Sequence, residues 1–119
     1  MNTSKLVDLV VSVLNDGKGR DITVLDVRGK TGITDYMVIA CGTSERHVRS
    51  LAGHVAEEAK KNEISPLGME GENVGEWVLV DLGDVIVHVM KAQTREFYQL
   101  EKLWQGEPSA ADLKQAAPY

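Results

Sequence analysis

Long apolar runs are absent from this 119-residue chain, and so is a second cysteine. No stretch approaches the ~18–20 consecutive apolar residues of a membrane-spanning helix. Cys41 has no partner for an internal disulfide, so packing alone must hold the fold, and a reducing, cytoplasmic setting is expected. The opening Met1-Asn2-Thr3-Ser4-Lys5 leads into an amphipathic pattern broken by Asp8, unlike the uninterrupted apolar core of a secretory leader. Cations are missing from a whole region. No Lys or Arg occurs between Lys61 and Lys91, yet Glu63, Glu70, Glu72, Glu76, Asp81 and Asp84 fall there. The net charge is −5, and the loose basic group Lys5, Lys18, Arg20, Arg28 and Lys30 is diluted by Asp8, Asp16, Asp21 and Asp26. Affinity for phosphate backbones needs clustered cations that release counterions, so little direct contact with nucleic acid is expected.

What is present suits one globular domain of α/β class. Leu6, Val7, Val10, Val13 and Leu14 recur at helical spacing, which predicts a helix from about Ser4 to Asp16, capped by Thr3 or Ser4 and ended by Gly17. The β-branched run Ile22 to Val27 predicts a strand, and Arg28 to Thr34 a loop. Tyr36 to Cys41 is uninterruptedly apolar, as in a central strand buried on both faces. Gly42-Thr43-Ser44 then opens a second helix, with Val48, Leu51, Ala52, Val55, Ala56 and Ala59 along one stripe and Lys60 and Lys61 at its end. Pro66 to Met69 reads as a short edge strand. Short helical turns are expected from Arg95 to Trp104, and a disordered tail over 106–119 beyond a domain of residues 1–105.

Trp77 to Val80 and Val85 to Met90 predict a hairpin around Leu82-Gly83. With a two-residue turn, Asp81 faces Asp84, Leu79 faces Ile86 and Trp77 faces His88. Alternation puts Val78, Val80, Val85, Val87 and Val89 on one face, a core surface. Trp77, Leu79, Asp81, Asp84, Ile86, His88 and Met90 share the other, a mixed and therefore candidate binding surface.

Other motifs carry less. Gly42-Thr43-Ser44 has the form of a nucleotidyltransferase turn, but the paired carboxylates that hold Mg²⁺ in such enzymes are missing from the window Arg49 to Ala56. Gly29-Lys30-Thr31 lacks the upstream glycine of a phosphate-binding loop, since Val24 stands there. His47 and His54 are too far apart on their helix to chelate, and are read as solvated flank residues. His88 is either a packed, hydrogen-bonded side chain or a contact residue. Cys41 ends a buried strand and is expected to be inert.

From about Leu6 to Trp104 the chain resembles the ribosomal silencing factor, or Iojap-related, family. The resemblance rests on Asp26-Val27-Arg28, Asp35 to Ile39, Gly42-Thr43-Ser44, Glu70-Gly71, Gly75-Glu76-Trp77, Asp81, Gly83-Asp84 and Val87-His88. It continues through Arg95, Phe97-Tyr98, Leu100-Glu101 and Leu103-Trp104. It implies a nucleotidyltransferase-like fold: a mixed β-sheet with helices mainly on one face, without transferase activity or cofactor. It further implies binding to ribosomal protein fourteen of the large ribosomal subunit, a block on subunit joining when nutrients are scarce, and frequent homodimers. The expected contact zone is Trp77, Leu79, Asp81, Asp84, Ile86, His88, Met90, Arg95 and Tyr98, with Trp77 and Tyr98 as apolar anchors. The alternatives are a Mg²⁺-dependent nucleotidyltransferase using Asp26, Asp81 and Asp84, and a plain dimerisation module.

Overall fold

The computed structural model describes residues 1–98, and of Phe97 and Tyr98 the backbone alone. The expected domain limit at 105, the tail over 106–119, and Leu100, Glu101, Leu103 and Trp104 lie outside the described residues. Helix α1 (Thr3–Asp16) starts one residue earlier than its periodicity predicts, because Asn2 caps it: Asn2 Oδ1 accepts from the Lys5 amide at 2.8 Å. Strand β1 (Arg20–Asp26) and strand β2 (Tyr36–Gly42) follow, then α2 (Glu45–Lys61), whose cap is Ser44 as its sequence predicts. Strands β3 (Gly68–Glu70), β4 (Trp77–Asp81) and β5 (Val85–Lys91) precede the short helix α3 (Ala92–Tyr98).

The five strands form one mixed sheet in the order β1-β2-β5-β4-β3, with β2 and β5 parallel and the other neighbours antiparallel. The continuous apolar run of β2 is explained by its place: it is flanked on both edges and buried from Met37 to Gly42. Gly42 is where the chain must turn closely into α2. A Cβ there would lie 2.8 Å from Val48 Cγ2, so only glycine allows this approach.

Helices α1 and α2 cover one face. Leu6, Val10 and Leu14 of α1 and the stripe Val48 to Ala59 of α2 pack on Val38, Ala40, Val78, Val80, Val85, Val87 and Val89. Burying each of the valine and leucine side chains among these contributes roughly 1.5–3 kcal/mol. The opposite face carries a second cluster of Val27, Met37, Ile39, Trp77 and Met90, with Leu25 and Ile33 against it. Helix α3 meets β5 and β2.

The hairpin register differs from that expected of a turn at Leu82-Gly83. Asp81 pairs with Ile86, Leu79 with His88 and Trp77 with Met90. The turn is displaced by one residue: the Leu82 amide donates to the Val85 carbonyl at 2.9 Å, so Leu82 faces Val85 and the chain reverses at Gly83-Asp84, with Gly83 at φ +87°. The partner of each residue moves by two positions, an even number. Every side chain of β4 and β5 therefore keeps the face that its alternation predicts, while Asp84 falls in the turn.

Candidate functional site

The face opposite α1 and α2 gathers most of the expected contact residues, but it does not expose them all. Trp77, Ile86, His88 and Met90 are buried, with His88 at 0% exposure. Their expected status as surface side chains is thus corrected. The sheet face is overlaid by the second cluster, and a strand sequence does not reveal what lies above it. Leu79 and Asp81 are half-buried, Asp84 is exposed, and Arg95 is half-buried on α3. Tyr98 closes α3, and its side chain falls outside the described residues.

Trp77 and His88 form a buried pair. Trp77 Nε1–H donates to His88 Nδ1 at 2.7 Å, and the rings lie 5.6 Å apart at a 59° tilt. Indole only donates, so Nδ1 must accept and the neutral imidazole carries its proton on Nε2. That Nε2 is buried without a hydrogen-bond partner among the described residues. Such an unmade bond costs about 1–3 kcal/mol. Burial pushes the His88 imidazole down from 6.5 to about 3, which keeps it neutral.

The aspartates serve the turn rather than a common ligand. Asp81 Oδ1 accepts from the Gly83 amide at 2.9 Å. Asp84 does not face Asp81: its carboxylate accepts from Thr3 Oγ1 at 3.1 Å, and its carbonyl accepts from the amides of Asp35 and Tyr36. Asp26 lies on β1, separated from β4 by β2 and β5, and so roughly 14 Å away at the usual strand spacing. Its carboxylate is held well below the usual range, at about 2, chiefly by the hydrogen bond from the Arg28 side chain at 2.7 Å. This spacing is far beyond the ~2 Å bonds of a shared Mg²⁺. Among the described residues no group of three or more His, Cys, Asp or Glu side chains is placed to hold a metal.

Arg95, expected at the contact zone, stitches the fold. Its guanidinium donates to the Asp21 carbonyl at 2.6 Å, to Thr23 Oγ1 at 2.8 Å and to Cys41 Sγ at 3.4 Å. These bonds dock α3 on β1 and β2. His47, expected as a solvated flank residue, is a second stitch. Its Nδ1 accepts from the Thr43 amide at 2.9 Å, so Nε2–H donates to the Gly17 carbonyl at 2.8 Å and ties α2 to the end of α1. A single i, i−4 histidine next to a glycine turn is the faint signal that sequence reading passed over.

What remains accessible on this face is an acidic corner. Glu70 pairs in register with Leu79, and Gly68 with Asp81, so Glu70, Leu79 and Asp81 share one side, while Asp84, exposed at the adjoining turn, reaches to Thr3 at the start of α1. None of these acids takes part in an ion pair among the described residues. Sequence reading missed the part played by β3, since only register places Glu70 beside Leu79.

Comparison with known proteins points one way. The family model "Ribosomal silencing factor during starvation" matches residues 1–118. A relative from Haemophilus influenzae, "Ribosomal silencing factor RsfS", is 48% identical over 99 residues, covering 83% of this chain and 97% of its own length. A second protein of that name, from Bacillus subtilis, is 39% identical over 113 residues, 95% of each chain. A crystal structure of a protein from Chromobacterium violaceum superposes with a TM-score of 0.87 at 42% identity, over 89% of this chain and 88% of that one.

Proposed function

We propose, from the premise that this chain belongs to the ribosomal silencing factor family, that it binds ribosomal protein fourteen of the large subunit and obstructs small-subunit joining. The coarse part of this reading, a ribosome-associated silencing role, follows from the family itself. The finer part rests on one observation: at the acidic corner of Glu70, Leu79 and Asp81, with Asp84 at the adjoining turn, no acid is ion-paired among the described residues. Ribosomal proteins lie on RNA and are mostly basic, so such a corner attracts them while it repels the surrounding phosphates.

Obstruction needs area and no reacting group. An ordinary interface takes about 800 Å² from each partner. Within it, Leu79 supplies the apolar contact and Asp81 and Asp84 meet basic side chains. Tyr98 is proposed as an apolar anchor, while Trp77, Ile86, His88 and Met90 support the corner from beneath, and Arg95 holds α3 in place. Action in the cytoplasm, without catalysis or cofactor, belongs to the same reading, as does a homodimer in the unbound state. Sedimentation of purified subunits through sucrose tests it. Added protein should deplete joined ribosomes and travel with the large subunit. Joined ribosomes that persist at saturating protein would refute the reading.

A further inference from the structure

The two outer edges of the sheet are built differently. At β1 the pairing with β2 slips between Arg20 and Thr23, Asp21 takes φ +50°, and the Asp21 carbonyl is occupied by Arg95. A bulge and a covering side chain are the usual ways of closing an edge to further pairing. At β3 no such device is present among the described residues. One side of Gly68–Glu70 meets β4, and no described strand meets the other. Leu67, at its start, is 75% exposed. A Cβ built on Gly68 would meet nothing within 4 Å, so another backbone can approach closely there.

We infer that the free edge of β3 is a docking site at which an extended, basic segment of the ribosomal protein partner adds as a sixth strand. This deepens the proposed function and rests on it, since β3 borders the acidic corner through the Gly68–Asp81 and Glu70–Leu79 pairs. Strand addition supplies main-chain hydrogen bonds, while alternate side chains choose the occupant. A three-residue strand offers few such bonds, so side chains must select. Leu67 calls for an apolar side chain on the incoming segment, and Glu70 with neighbouring Glu72 calls for Lys or Arg. A second copy of this chain is disfavoured, because pairing two β3 edges would set acids beside acids. RNA is disfavoured by the same charge.

Hydrogen exchange on the full chain, free and mixed with purified large subunits, tests the inference. Amides of β3 that face β4 are protected in both states. Those of residues 67–70 that face outward should slow at least about tenfold in the bound state. In parallel, L67E and E70K should each weaken co-sedimentation about tenfold, a loss of roughly 1.4 kcal/mol, while leaving thermal unfolding unchanged. Co-sedimentation with unchanged exchange at 67–70, or with both variants binding normally, overturns the edge assignment and leaves the ribosomal reading intact. Slowed exchange in the protein alone as concentration rises would mean that a second copy takes the edge, and also overturns it. Absence of co-sedimentation by the unaltered protein removes the premise, and the inference with it.

Discussion

The two faces of the sheet are built from different materials. Under α1 and α2 lie Val38, Ala40, Val78, Val80, Val85, Val87 and Val89, aliphatic throughout. On the opposite face lie Met37, Ile39, Trp77, His88 and Met90, where one buried imidazole has a ring nitrogen without a partner among the described residues. The first face needs only shape and volume. The second holds polar atoms that are expensive to bury, and it adjoins the acidic, accessible corner. The contrast separates a face held by shape and volume alone from a face that borders the proposed recognition corner.

The strongest way to break that contrast is Trp77→Ala. It removes the largest buried side chain and leaves His88 Nδ1 without its donor. A loss of about 3–5 kcal/mol is expected in urea unfolding, together with weaker large-subunit binding, because the corner loses its floor. Leu51→Ala cuts into the other face. It should cost about 2–4 kcal/mol and leave binding unchanged at temperatures where the variant is folded. Equal effects of both variants on binding would erase the distinction between the faces.

The second face should also be the pH-sensitive one. An unfolded imidazole takes up a proton near 6.5, whereas folded His88 does so only near 3. Between those values the unfolded chain binds more protons. Stability from this group is therefore complete above pH 6.5 and declines as pH falls, by at most about 1.4 kcal/mol per pH unit. His88→Gln should flatten the decline between pH 6.5 and 4.5 by about 2–3 kcal/mol in denaturant midpoints. An unaltered slope would show that His88 is not held neutral. A smaller effect is expected of Asp81→Ala, which removes the acceptor for the Gly83 amide. About 1 kcal/mol of stability should go, and Asp81→Asn, which keeps an oxygen there, should restore most of it.

Much of this was legible in the chain. The stripe of α2 and its Ser44 cap follow from local spacing, and the division of β4 and β5 into two faces follows from alternation alone. The Asn2 cap did not stand out because Thr3 and Ser4 are equally competent residues next to it. The position of the turn at Gly83-Asp84 escaped because it depends on a hydrogen bond between Leu82 and Val85. The larger miss concerned cover. Trp77 and His88 take the face that alternation predicts, but what lies above that face comes from Val27 and Ile33, which are distant in sequence, and from α3, whose path back over the sheet alternation does not give. Periodicity reports which side a residue takes and is silent on whether that side is open. Arg95 shows the same limit, since its partners Asp21, Thr23 and Cys41 lie in strands far upstream.

Charge at the accessible corner is the point on which the proposed recognition turns. The variant combining Glu70→Gln, Asp81→Asn and Asp84→Asn removes that charge while retaining oxygens that can accept from Gly83 and Thr3. Subunit joining measured by light scattering, with the unaltered and the neutralised protein side by side, tests it most directly. The account predicts that the unaltered protein suppresses joining and the neutralised one, equally stable, does not. Suppression by both to the same extent would contradict it.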